Sequence, residues 1–435
     1  MPHPPRFYTF LCLALAVSCL ALGADTKEKK RPAAALKGEW PQWRGPNRDG
    51  ISPDKGLLKE WPEDGPPLSW QAKGMGTGWS SVAVVGDRVY TLGDRDGKEF
   101  VVAVNTRDGE LVWQTAIAGN LGDGPRSTPT IDGGLLYVIT PHGELVCLAT
   151  KNGQEKWRKH LEQDFGGNMM SGWKFCESPL IDGDRVICTP GGKNAALVAL
   201  DKKSGKLIWQ TKIPDLGNQG GDGAGYSSVM ISNAAGVKQY VQLVGRGVIG
   251  VRASDGQFLW SYNRVANGTA NIPTPIVQGD YVFCSTGYGA GSALLHLQKD
   301  GKGVKAEEVY FLQGNELQNH HGGMVLIGDH VYMGHGHNQG FPVCVEMKSG
   351  EIVWNQGRGP GERSAAVIAA DGQLYFRYEN GVMALIEATP TEYKEHGTFQ
   401  IPDCHSPSWA QPVVAGGKLY LREQDNLFCY DLKAK

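Results

Sequence analysis

The chain has no surplus of basic charge. Of its 435 residues, 43 are Lys or Arg and 45 are Asp or Glu, whereas nucleic-acid readers usually carry a basic excess. Beyond the first two dozen residues there is no apolar run long enough to cross a bilayer. No GxSxG elbow, no GxxxxGK(S/T) loop and no HExxH pair occurs, which removes three common hydrolase signatures. CxxCH is also missing, so a covalently held c-type haem is excluded. What is abundant instead is glycine, proline and tryptophan, with 60, 24 and 12 residues. At a net charge of −2 that composition suits an ordered all-β protein and not a disordered one.

Residues 1–24 carry Arg6, an apolar run from Phe10 to Leu22 and then small residues, the pattern of a secretory signal peptide. Cleavage is expected near Gly23 or Ala24, leaving an exported protein that is periplasmic or secreted. Cys19 after Ala16-Val17-Ser18 offers a lipid tether as an alternative, although that triplet matches a lipobox poorly. Residues 25–65 read as a linker and N-terminal cap, with WPQWRGPNRDGIS as an ordered loop fastened to the body by Trp40, Trp43 and Trp61.

The nine cysteines do not form a disulfide framework. Cys12 and Cys19 go with the leader. Cys147, Cys344 and Cys429 share one repeat position (LVCL, PVCV, LFCY) and Cys188 and Cys284 another, so these five read as core thiols. Only Cys176 and Cys404 are placed so that a bridge between them is open.

The body, residues 66–435, is repetitive. LVALDKKSGKLIW (Leu197–Trp209) recurs as VVAVNTRDGELVW, LVCLATKNGQEKW, VIGVRASDGQFLW and PVCVEMKSGEIVW. Each copy puts alternating apolar residues on both sides of a turn with Gly where positive φ is needed, so each is a hairpin. A second hairpin precedes each one, as in SSVAVVGDRVYTL from Ser80 or TPIVQGDYVFCS from Thr274. Eight such units of four short antiparallel strands predict an all-β, eight-bladed β-propeller. The last unit has only three strands, and Pro66–Trp70 (PLSWQ) is expected to close the ring, removing its open edges.

The A-x-D-x-x-(S/T)-G-K-x-x-W pattern, clearest as ALDKKSGKLIW, resembles the repeat of the pyrroloquinoline-quinone (PQQ) propellers. That family includes quinoprotein alcohol dehydrogenases and a non-enzymatic outer-membrane assembly lipoprotein. The resemblance covers nearly all of 66–435. It implies that Trp70, Trp113, Trp157, Trp209, Trp260 and Trp354 dock neighbouring blades, with Tyr310-Phe311 standing where the fifth unit's Trp is expected. The alcohol dehydrogenases also carry a Cys-Cys pair beneath the cofactor; no adjacent cysteines occur here.

In such a ring the residues before each first strand, and in each second loop, should surround the channel mouth. They include Trp79, Arg126, Glu177, Tyr226, Asn271, His320, His321, Arg363 and Trp409, together with Asp94, Arg95, His142, Lys193, Arg246, Tyr288, His335, His337, Tyr378, Glu379 and Glu423. A concave mouth so rich in aromatic, cationic and imidazole groups is the expected ligand site. His321, His335 and His337 could bind zinc or copper. PQQ, as the resemblance implies, would use Trp79, Trp409 or Trp173 as platforms and Arg126, Arg246, Arg363 and Lys193 as carboxylate partners, with Tyr226 beside them. Calcium and the proton-accepting role would fall to Glu177 or Asp94, and His320 and His321 are further acid–base candidates.

Three functions follow. The favoured one is a binding or scaffold propeller that takes a small molecule or a protein at its mouth. The alternatives are a PQQ- and calcium-dependent alcohol or sugar dehydrogenase and, more remotely, a cofactor-free carbohydrate-active enzyme built on the histidines.

Overall fold

The computed structural model describes residues 1–4, 38–405 and 407–434. The apolar run of the expected leader, with Cys19, lies outside the described residues. None of the described helices is long and apolar enough to cross a membrane.

Eight sheets form the blades, each of four antiparallel strands taken in chain order. Blades 1 to 7 occupy residues 83–119, 130–160, 180–210, 230–262, 276–313, 324–355 and 365–400. Blade 8 combines residues 413–431 with Leu68–Ala72 as its outermost strand. Trp70 stands opposite Cys429 and Ala72 opposite Leu427, so the ring closes as the sequence predicts. Among the described residues helix is confined to Leu161–Phe165 and one 3-10 turn.

Alternation in the strands puts one set of side chains between each blade and the next. Cys147, Cys188, Cys284, Cys344 and Cys429 are fully buried there, and Cys176 and Cys404 are free thiols with no bridge between them.

The tryptophans hold the blades together. The Nε1 of Trp70, Trp113, Trp157 and Trp354 donates to a carbonyl of the following blade, at Thr106 (3.0 Å), Thr150 (2.9 Å), Lys202 (3.1 Å) and Thr389 (3.0 Å). Tyr310 replaces the fifth tryptophan with the same contact, its hydroxyl 2.8 Å from Met347 O. The turn glycine of the next repeat makes room. A Cβ on Gly205 would stand 2.7 Å from the Trp157 ring, so this glycine supplies both the positive φ of the turn and the flat seat of the indole. Trp209 packs on Gly256 in the same way, without a partner for Nε1. Trp260 departs from the expectation by donating to Gln239 of its own blade (2.6 Å). The charged insertion lengthens the next hairpin into Gly291–Asp300 and Gly303–Gln313, so its turn no longer lies where an indole could dock.

The segment 38–65 is no outer cap alone. Trp40 pairs with Val84 of blade 1 (2.8 Å in both directions), and Pro41 O accepts from Ile131 of blade 2. Arg48 donates to Ser178 O and Pro179 O beside blade 3, and Trp43 reaches Thr274 beside blade 5 (3.3 Å). Arg44 donates to Met324 O of blade 6 and Val367 O of blade 7. Ile51–Ser52 then joins blade 7 as a fifth, parallel strand. Residues 40–52 therefore cross the centre of the wheel and plug its channel. Trp61 completes the attachment against Tyr375 and Phe399.

Candidate functional site

The plug turns the channel into a cup. Backbone carbonyls at the starts of the inner strands converge on the axis and need donors; Arg44 and Arg48, only 4% and 3% exposed, supply them. Two glycines cut the slot for Arg44. A Cβ on Gly50 would lie 2.4 Å from its Nη2, and one on Gly323 would lie 2.3 Å from its Nη1. Desolvation lowers the pKa of both guanidinium groups to about 10, still charged at neutral pH.

Above the plug lies a cavity of about 410 Å³ with Trp43 and Arg44 at its base. A smaller chamber of about 160 Å³, lined by Arg44, Arg48, Met230, Ile276 and Leu326, lies on the other side. Of the residues expected at the mouth, Trp79, Arg126, Tyr226, Tyr288, His320, His321, His337, Arg363, Glu379 and Trp409 line the cup. The rings of Trp79 and Trp409 lie 4.8 Å apart at 42°. The Trp79 indole donates to Pro407 O (3.0 Å), and the Arg126 guanidinium covers its face at 4.9 Å. Arg126 is held in turn by Asp123 (2.7 Å). Across the cup, Arg363 meets Glu379 at 3.2 Å.

The histidines form one wall. His320 lies 4.4 Å from both His321 and His337, ring to ring, and His321 meets Trp409 at 5.3 Å. His320 is fixed through Nδ1 to Ser364 (2.6 Å) and through Nε2 to Tyr288 (3.2 Å). Burial first, then the neighbouring imidazoles, lower His320 to about 2 and His321 to about 4. Burial also lowers His335 and His337. The cluster is neutral at physiological pH. His335 turns away from it, accepting from the Gln318 N–H at 3.2 Å. Among the described residues no three His, Cys, Asp or Glu side chains converge as a metal centre requires.

Several expected site residues do not line the cup. Glu177 is 3% exposed and accepts from Thr189 N (2.7 Å) and Oγ1 (2.9 Å) and from Gln242 (3.3 Å); burial raises its pKa to about 8. Asp94 accepts from the N–H groups of Leu121 and Gly122, and desolvation raises its pKa. Arg246 is paired with Asp222 and Gly217 O, and Asn271 caps carbonyls of Val244 and Gly245. For Asp94 and Arg246 the reason is radial: the second strand of a blade lies one strand spacing of about 4.8 Å farther from the axis than the first, and among the described residues its loop lines the cup at Tyr288, His337, Asn338 and Glu379. Glu177 and Asn271 stand before first strands but turn to partners within the ring. Trp43, Arg44, Thr274 and Gln411 were missed, because nothing in a loop's composition says that it will thread an axis.

The fit to PQQ and its ion can be tested on these residues. The quinone oxygens need a divalent ion held by several oxygen donors, but Glu379 is the one carboxylate among the cup's described lining, and Arg363 already engages it. The proposed ion ligands Glu177 and Asp94 are bonded elsewhere. The donor set does not fit the group.

The family profile described as outer membrane protein assembly factor BamB matches residues 97–356, more than half of the chain. BamB of Shewanella oneidensis is 23% identical over 60% of this chain and 64% of its own length; the matches to the first curated relatives span less than two thirds of their length. Among solved structures, BamB from Moraxella catarrhalis superposes with a TM-score of 0.60 at 14% identity, covering 83% of this chain and 98% of that one. Quinohemoprotein alcohol dehydrogenase from Comamonas testosteroni superposes with the same score at 12% identity, covering 92% and 81%. At such identities these structures establish the fold alone.

Proposed function

We propose that this chain, which belongs to the PQQ-repeat family of outer membrane protein assembly factor BamB, is an exported binding propeller that receives its ligand or partner in the cup. The observation that carries this reading is the plug. A channel crossed by residues 40–52 is a blind concavity with an aromatic, arginine and histidine lining, which is the form of a binding site and not of a conduit. The relatives are named for outer membrane assembly, and a scaffold role outside the cytoplasm agrees with a leader over residues 1–24. In this division residues 25–65 are the linker and cap, of which 40–52 plug the wheel formed by 66–435. The poor fit to PQQ and its ion favours binding over quinone redox chemistry.

A photo-crosslinking residue placed at Arg363, whose side chain is 60% exposed on the cup rim, tests the reading in cells, with Leu207 on an outer strand as the control. Adducts at position 363 that are absent at 207 are expected, along with recovery of the protein outside the cytoplasm. Adducts at the outer strand alone would overturn the use of the cup.

A further inference from the structure

The charge balance of the cup narrows its ligand. Each cation among its described lining residues already has a partner. Arg126 is bound to Asp123 (2.7 Å) and to Trp173 O (3.4 Å), and Arg363 to Glu379. Arg44 spends its donors on the carbonyls of Asp49, Met324 and Val367. The imidazoles add no charge. A clamp for a multiply charged anion needs unpaired cations, and the cup offers none.

What it offers instead is flat apolar surface with mixed donors and acceptors around it. Trp79 and Trp409 are two tilted indoles 4.8 Å apart, Trp79 with Arg126 over one face, and Trp173 and Tyr226, in an edge contact at 6.0 Å, belong to the same lining. The Nδ1 of His337 accepts from the Tyr288 N–H (3.3 Å), so in the neutral ring Nε2 carries the proton and is a free donor. Arg363 and Glu379 set a planar donor beside a planar acceptor. An anion could satisfy only the donors, whereas a hydroxyl both donates and accepts.

We infer that the cup binds a neutral pyranose ring, one apolar face stacked on the Trp409 indole and vicinal hydroxyls on Arg363, Glu379 and His337. The inference rests on the cup being a binding site. The sugar is free, or it is the end of a longer glycan; the ring chemistry is shared.

The test is titration of the full chain with glucose, galactose, mannose and N-acetylglucosamine and with cellobiose and maltose, followed by tryptophan emission and calorimetry. Benzene-1,3,5-tricarboxylate is the anionic comparison. At least one saccharide should shift the emission saturably and with little salt dependence, and Trp409→Ala should weaken it by about tenfold. His337→Ala, at the rim, repeats the test without touching the core. A disaccharide that binds much more tightly than its monosaccharide would identify a glycan end. Salt-sensitive binding of the tricarboxylate without any saccharide response would overturn the pyranose while leaving the cup as a site. Silence from every saccharide would also overturn it, and crosslinks at position 363 would then show whether the cup still binds something else.

Discussion

Replacing Arg44 by alanine isolates what the plug contributes. The side chain is 4% exposed and bridges three carbonyls, one each from its own segment, blade 6 and blade 7. Hydrogen bonds from a charged donor contribute about 1.5–3 kcal/mol each. Water entering from the cup would re-solvate part of what is lost, so a net cost near 3 kcal/mol is expected. The loss should be local, because the blades keep their own ladders and their indole contacts. Hydrogen exchange measured by mass spectrometry should therefore show the amides of residues 40–52, and their partners at Val84 and Ile131, opening roughly a hundredfold faster. The outer strands should hardly change. Unchanged protection in 40–52 would refute the idea that Arg44 locks the plug, and a uniform rise over all blades would show that the plug and the ring unfold as one unit.

Two further outcomes follow from the same contacts. Glu177 has its pKa raised by burial from 4.5 to about 8, so the folded state holds a proton that the unfolded state releases near pH 4.5. Its stability contribution is full below 4.5 and is lost as pH rises through 8, by roughly 3–5 kcal/mol; Glu177→Gln should thus gain in Tm over wild type from pH 5 to pH 9, and a pH-independent difference would contradict a protonated carboxyl. Gly205→Ala combines a φ of +68° with a Cβ pressed into the Trp157 ring. It should cost about 2–4 kcal/mol, read as a lower Tm by calorimetry, whereas Gly183→Ala, whose Cβ would meet nothing within 4 Å, should lose only the smaller backbone share.

The propeller was legible because its signals are local and repeated. An apolar alternation, a turn glycine and an indole recur at a fixed spacing, and each repeat can only bury its faces against the next. The closing strand was legible too, since PLSWQ resembles the tryptophan strands of the other blades. The site was legible only in part. Trp79, Arg126, Tyr226, His320, His321, Arg363 and Trp409 follow from their position before a first strand, and position before a first strand is a statement about radius. Glu177 holds the equivalent position and yet turns into the seam between blades 3 and 4, because Thr189 and Gln242 offer it partners that no local pattern announces.

By itself, then, the sequence determined the number of blades, their order and the closing of the ring, all of which depend on contacts between neighbouring repeats. The tertiary structure alone decided that the channel is blind. Trp43, Arg44 and Arg48 lie up to several hundred residues from the groups they meet, the Thr274 hydroxyl and the carbonyls of Ser178, Met324 and Val367, and those groups converge only once the ring has closed. The same closure gathered His320, His321 and His337, half-buried, against one another and against the Trp409 indole, which lowers their pKa values and which no count of imidazoles along the chain could have foretold.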